Sequence, residues 1–378
     1  MKIIRVLHVL GELNCGGAEN MVMNLYRNID KTKIQFDFVI HTSKKCYFED
    51  EVKKLGGKIY RVDRYKGINY FQYKKQWKNI FKTHPEYKII HGHVRSTASI
   101  YLKIAKKYGL CTIAHSHSSS SGKGIKAVIK NILQYKIRFI ADFFIGCSKQ
   151  SAEWLFGKKV LNSNKCMILN NAIDTKKYLY NKEIRKRVRK KLEIKNNKKI
   201  IANIGRFSKV KNHKFLIEIY EKLLEIDNNY ILLLIGNGEL EEKIKKLVKN
   251  KNLSKKVIFT GVRNDINELL QAIDILVMPS FYEGLPLTLV EAQAASLPCL
   301  ITDTITKEVE LTNLIYRKKL EQSELEWAEE IIKILNSFNR EAKLDSQVDL
   351  KNKEYDIDII CKKIEKFYKN LYTNKTEI

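Results

Sequence analysis

The sequence predicts an α/β protein of two domains, each built on a parallel sheet, and three observations carry that expectation. At 378 residues the chain exceeds what one hydrophobic core ordinarily supports. Short continuous apolar runs rich in Ile, Val and Phe alternate with amphipathic helical patterns, as expected of strands buried on both faces. These runs fall into two series, parted by a highly charged stretch that is poor in strand signal.

The first series reads "IIRVLHVL", "QFDFVIHT", "GKIYRVD", "KIIHGH", "CTIAHSH" and "FFIGCS". After the charged "NNAIDTKKYLYNKEIRKRVRKKLEIKNNKK" comes the second: "KIIANIG", "YILLLIGNG", "KVIFTGV", "DILVMPS" and "PCLITD". The domain boundaries that follow are 1–174, an interdomain segment 175–197, a second domain 198–355, and a terminal stretch 356–378. In that last stretch "YDIDIICKKIEKFYKNLY" has apolar residues at helical spacing, and "TNKTEI" after it reads as a frayed tail. "SSSSGKG" at 118–124 reads as a mobile loop.

No apolar run approaches the roughly 18–20 residues of a membrane-spanning helix; "FIADFFIGC" is short and carries Asp142. The start of the chain shows no signal-peptide cleavage pattern, so a cytoplasmic protein is expected. The seven cysteines lack CxxC spacing and read as structural thiols. The net charge of +28 is unevenly spread, since residues 1–180 hold 33 basic against 12 acidic side chains. That excess suits an anionic membrane surface, at the inner face of the plasma membrane. Nucleic acid is not expected, because no recognition motif or aromatic-basic interleaving accompanies the lysines.

Ligands of open α/β sheets bind beyond the carboxyl ends of the strands. There the second series offers "GRFSKVKN", "GNGE", "PSFYEGLPL" and "TDTITKE". Arg206 and Lys211 supply positive charge for a diphosphate, and the helix predicted over 286–295 supplies free amides at its start. Pro286 fits the first turn of that helix, where a missing N–H does no harm. Gly205, Gly236, Asn237 and Gly238 allow close backbone approach. Glu283 and Glu291, which would repel phosphate directly, suit the hydroxyls on either side of it. A nucleotide sugar has that character: polyol at both ends, anionic between.

Over these residues the sequence resembles glycosyltransferase family 4, the retaining enzymes of the GT-B fold. The likeness rests on "VLGELNCGGAEN", "GRFSKVKN", "IGNGELEEKIKKL" and "VIFTGVRNDINELLQAIDILVMPSFYEGLPLTLVEAQAASLPCLITD". In "IAHSHS", "CSKQSAEWLFG", "LNNAID" and "SELEWAEEI" it is nearest to the exopolysaccharide and capsule, or EpsF-like, branch. The resemblance implies two facing Rossmann-like domains, with a C-terminal helix returning to the first. It implies that Arg206 and Lys211 hold the donor diphosphate, Glu291 the ribose, and Glu283 with Gly284, Leu285, Pro286 and Leu287 the transferred sugar and β-phosphate. Gly16, Gly17 and Glu19 would serve the acceptor side. A histidine after the fifth strand would lie near the reacting sugar, and both His115 and His117 qualify. Ser296 departs from the family, which often has glycine there.

The implied activity is hexosyl transfer from a UDP-sugar to a saccharide or lipid-linked acceptor, with the UDP-sugar as substrate and no cofactor. No metal is expected: two fixed cations serve the diphosphate, and the pairs His91/His93 and His115/His117 lack an acidic or Cys partner for zinc. The alternatives are a UDP-sugar epimerase or hydrolase of the same fold, and a basic membrane-surface binding protein with a vestigial nucleotide site.

Overall fold

The computed structural model describes residues 3–118, 120, 125–340 and 346–376. The 118–124 loop therefore lies largely outside the described residues. The chain divides into two compact units, one running to Ala172 and resuming at Ile357, the other spanning Ile173–Asp356.

In the first unit seven strands form one parallel sheet: β1 (Ile4–Leu10), β2 (Ile34–Ile40), β3 (Ile59–Arg61), β4 (Ile89–Gly92), β5 (Cys111–Ser116), β6 (Phe143–Gly146) and β7 (Cys166–Ile168). Their order is β3-β2-β1-β4-β5-β6-β7, so the sequence of strands reverses between β1 and β4. The register sets His8 of β1 directly beside His91 of β4. The second unit repeats the plan with β8 (Lys199–Ile204), β9 (Tyr230–Ile235), β10 (Val257–Gly261), β11 (Ile275–Met278), β12 (Cys299–Thr302) and β13 (Ile315–Lys318), ordered β10-β9-β8-β11-β12-β13. Here the reversal lies between β8 and β11. Both units are Rossmann-like, and such a reversal opens a crevice at the strands' carboxyl ends. The strands β7 and β13, three and four residues long, were not singled out in the sequence.

The terminal helix Ile357–Thr376 belongs to the first unit. Its Ile360, Ile364, Tyr368 and Leu371 are buried in the core beneath β1, β2 and β4. The helix continues through "TNKT", beyond the point where fraying was expected.

Residues 175–197, read from the sequence as an interdomain segment, are built into the second unit. They hold a 3-10 turn, Thr175–Tyr178, and a helix, Lys182–Lys191. The helix is not a solvated charge run, because two of its arginines turn inward. Arg189, 1% exposed, donates to Asp274 at 2.7 Å and to the carbonyls of Ala272, Asn196 and Lys198. Arg185 reaches the other oxygen of Asp274 at 2.6 Å. A buried carboxylate between two guanidiniums, with the remaining donors on carbonyls, satisfies the pairing that burial of charge demands.

Candidate functional site

In the second unit the loops after β8, β9 and β11 are tied to one another by backbone hydrogen bonds. The Gly205 amide donates to Ile235, Phe207 to Asn237, Gly236 to Gly261, and Phe281 to Val210. The glycines make this closeness possible. A Cβ on Gly236, whose φ is +134°, would stand 2.1 Å from the Gly205 oxygen, and one on Gly238 would stand 2.6 Å from that of Phe207. They first serve loop-to-loop packing. The cleft that results, about 770 Å³, is lined by Gly205, Arg206, Gly236, Asn237 and Gly238 and also by Glu241, Val262 and Arg263.

Lys211 ends a 3-10 turn after β8, just before Asn212 takes a left-handed conformation and the next helix begins. Its ammonium pairs with Glu283 at 2.6 Å, and both side chains are largely buried. The cation expected on a diphosphate and the carboxylate expected on a sugar are thus each other's partner. Arg206, in contrast, is 75% exposed and only loosely paired with Glu239, at 3.3 Å. The helix after the Gly-Leu-Pro turn spans Leu287–Ala294. Pro286 occupies the position before it, with ψ of 114°, rather than its first turn. A helix N-terminus with free amides remains, because the earliest intrahelical donor is Leu289.

One turn deeper, Glu291 accepts a 2.8 Å hydrogen bond from the Tyr178 hydroxyl. Burial pushes its carboxyl up to about 7, with the Tyr178 bond opposing. Ser296, at the end of this helix, has φ of +52°, the region glycine favours, which accounts physically for the glycine the family often has there while this chain holds serine in the same conformation.

The first unit gathers its polar groups at the ends of β1, β4 and β5. Five histidines form two hydrogen-bonded rows. In one, His8 Nδ1 meets His93 Nε2 at 3.0 Å, and His93 Nδ1 meets His117 Nε2 at 2.7 Å. In the other, the Tyr368 hydroxyl meets His91 Nδ1 at 2.7 Å, and His91 Nε2 meets His115 Nδ1 at 3.1 Å. His115 lies within β5 and is 1% exposed, whereas His117 follows the strand's last residue. Burial holds all five well below the ordinary imidazole range, His117 at about 3, where the Arg95 charge adds to the effect.

Two trios, His8/His91/His93 and His93/His115/His117, bring ligand atoms within 4.8 Å of one another. Their paired nitrogens, however, stand at ring-to-ring hydrogen-bond distances, shorter than the roughly 3.4 Å that tetrahedral zinc bonds of about 2.0–2.1 Å impose. Beside the rows a cavity of about 420 Å³ is lined by Glu12, Gly16, Glu19, His41 and Arg64 among others. Glu19 folds back so closely that a Cβ on Gly16 would stand 2.2 Å from its carboxylate, and burial raises its pKa. Apart from its chain neighbours and its own helix backbone, no atom of the described residues lies within 4 Å of where a Cβ on Gly17 would stand.

Comparison with known proteins adds the lineage. Residues 15–177 match the model described as Glycosyltransferase Family 4, and residues 184–348 the one described as Glycosyl transferases group 1. EpsF of Bacillus subtilis, which carries the name of a glycosyltransferase, is 34% identical over 334 residues, covering 86% of each chain. The chain is a family 4 glycosyltransferase.

This glycosyltransferase is also 28% identical, over 58% of each chain, to an Escherichia coli UDP-Gal:alpha-D-GlcNAc-diphosphoundecaprenol alpha-1,3-galactosyltransferase. Its fold, GT-B, matches that of Anabaena HepE, solved with UDP, at a TM-score of 0.79 and 16% identity, covering 98% of this chain and 100% of that one. Three contributors to the transferase's polar clusters escaped the sequence reading. His8 sits inside an apolar strand with no motif around it. Tyr178 lies in the segment read as interdomain. His41, held by the Leu10 carbonyl and the Tyr73 hydroxyl, ends the second apolar run. Only the position of His8 and His41 late in strand runs could have signalled them.

Proposed function

We propose that the protein transfers a hexosyl group, with retention, from a UDP-sugar to a saccharide or lipid-linked acceptor in exopolysaccharide or capsule assembly. The observation that carries this reading is the grouping at one sheet edge of Lys211, Glu283, a helix N-terminus and the Tyr178-held Glu291. Glu291 accepts ribose hydroxyls. Arg206, Lys211 and the amides at Leu287 and Thr288 take up the charge of the departing diphosphate. When phosphate draws the Lys211 ammonium away, Glu283 is released to accept hydroxyls of the transferred sugar. The acceptor hydroxyl attacks the face the diphosphate leaves, and a phosphate oxygen takes its proton. Fixed cations do the neutralising, so the reaction requires no metal.

The first unit serves the acceptor through Gly16, Gly17 and Glu19, and His117 serves the reacting sugar. A lipid-linked acceptor is favoured by the undecaprenol-linked substrate named for the E. coli relative. Contact with an anionic membrane is favoured by the helix Ile125–Tyr135 and its continuation. Val128, Ile129, Ile132 and Phe139 are all more than half exposed there, interleaved with Lys130 and Lys136. No helix among the described residues is long and apolar enough to cross a membrane.

The test is UDP release across a panel of UDP-sugars, with a chelator present, with and without a lipid extract. Release requiring one sugar and lipid supports the proposal. Turnover of UDP-sugar alone would make the protein an epimerase or hydrolase, and failure to bind UDP would overturn the reading.

A further inference from the structure

A second cavity, of about 620 Å³, adjoins the one beside the histidine rows: Glu12, His41 and Arg64 line both. It lies over the residues that follow β2 and β3, whereas the first lies where the strand order reverses. The two differ in charge. The inner cavity offers Glu12 and Glu19 with the Asn14 amide and the Ser96 hydroxyl, groups that suit saccharide hydroxyls. The outer one adds Lys44 and Lys66 to Arg64. Of its two carboxylates, Asp63 accepts from the amides of Gln72 and Gln76 at 2.9 and 2.8 Å, and Glu12 from that of Asn14 at 2.7 Å. Neighbouring Lys45 and Arg61 pair with Asp50 and Glu49, but Lys44, Arg64 and Lys66 have no carboxylate partner among the described residues.

The loop that carries two of these cations is held in shape by Asn69. The Lys66 amide donates to Asn69 Oδ1 at 2.8 Å, and Asn69 Nδ2 donates to the Arg64 carbonyl at 3.0 Å. Burial holds His41 at about 4, with the Leu10 carbonyl opposing and the Arg64 charge adding to it, which places the guanidinium near the junction of the two cavities. Ile68 lines the outer cavity and is 94% exposed, and Phe71, 82% exposed, follows one turn on. Three unpaired cations attract a polyanion, and an inorganic one would gain nothing from Ile68. Glu19 lines only the inner cavity, Arg64 both, and Ile68 only the outer one. An amphiphile that runs saccharide, diphosphate, apolar chain meets its three complements in that order.

We propose that Arg64, joined by Lys44 and Lys66, holds the diphosphate of a lipid-linked saccharide, with Ile68 against the first part of its apolar chain. The saccharide then lies toward Glu19, and the sugar farthest from the diphosphate is the one extended. That last part rests on the function proposed above; the diphosphate site does not.

The full chain, kept saturated with UDP so that Arg206 and Lys211 are occupied, is titrated with farnesyl diphosphate, farnesol and inorganic pyrophosphate. Farnesyl diphosphate should bind tightest of the three. Arg64→Gln should weaken it about tenfold or more, as for loss of a charge-assisted contact. Ile68→Ser should weaken it too, while leaving pyrophosphate unchanged. Lys75→Gln, which removes an equal charge from an exposed position outside both cavities, should leave it at the parent value. Equal affinities in Arg64→Gln and the parent, or an equal loss in Lys75→Gln, overturn the site. Pyrophosphate binding as tightly as farnesyl diphosphate overturns the lipid assignment. If UDP itself does not bind, the proposed function fails, while the comparison of Arg64→Gln with the parent still decides the diphosphate site. In the lipid-dependent release assay, Arg64→Gln should raise the extract concentration for half-maximal rate about tenfold, with the maximal rate and the KM for the UDP-sugar near the parent's. A lower maximal rate at unchanged half-saturation counts against the site.

Discussion

Replacing Glu291 by Gln should stabilise the second unit at alkaline pH while weakening nucleotide binding. Burial raises the Glu291 carboxyl from 4.5 to about 7. The native state therefore holds this proton more tightly than the unfolded chain, and the group's favourable contribution is lost as pH rises through 7. Moving the carboxyl that far up corresponds to a ceiling of about 3.4 kcal/mol. Between about pH 5 and about pH 8.5 some 2 kcal/mol of it should be read as a growing advantage of Glu291→Gln over the parent, allowing for the partial exposure of the side chain. Urea unfolding followed at several pH values gives that difference directly, and UDP titration gives the other half. A carboxylate accepts both hydroxyls of a diol, whereas the Gln carbonyl is a poorer acceptor, so affinity should fall by about tenfold or more. A stability difference that does not change with pH would refute the burial argument. Unchanged UDP affinity would refute the ribose role.

The remaining predictions concern the cations and the exposed helix. Lys211→Met leaves Glu283 without its partner and should destabilise by about 1–3 kcal/mol in urea unfolding. Adding Glu283→Gln should restore most of that stability without restoring transfer. Arg206→Ala, at an exposed site, should change stability by less than about 0.5 kcal/mol, yet UDP release should fall by about 100-fold, as for loss of one charge-stabilising donor. If Arg206→Ala and Lys211→Ala both leave transfer intact, the diphosphate assignment is wrong. Ile132→Glu, at a position 67% exposed, should leave stability unaltered and reduce sedimentation with anionic vesicles. Equal sedimentation would remove this helix from the membrane contact.

The strands were legible because a strand buried on both faces writes itself as an unbroken apolar run, and the run's end marks the sheet edge where ligands bind. That rule led to Lys211, Glu283 and Glu291 as candidates. What it could not supply is pairing across the chain. Tyr178 and Glu291 are 113 residues apart, and nothing local to either announces the bond. The charge run at 182–191 misled for a related reason. Arginine patterning reveals how many cations a helix carries but not that Asp274 waits beneath two of them. The histidine alternation in β4 and β5 was visible, whereas its completion by His8 depends on strand register, which links residues 85 positions apart.

The return of the last helix to the first unit has a consequence for synthesis. Tyr368 bonds to His91 from 277 positions away, and the apolar face that Ile360, Ile364 and Leu371 cover is made by strands that leave the ribosome early. At about 5–20 residues per second, residues 173–356 take roughly 10–40 s to emerge. Throughout that interval the nascent first unit carries an uncovered slot, and its histidine row has no lid. The enzyme cannot complete its first unit until residues 357–371 have been made, which ties assembly of the His91 row to prior synthesis of the whole second unit.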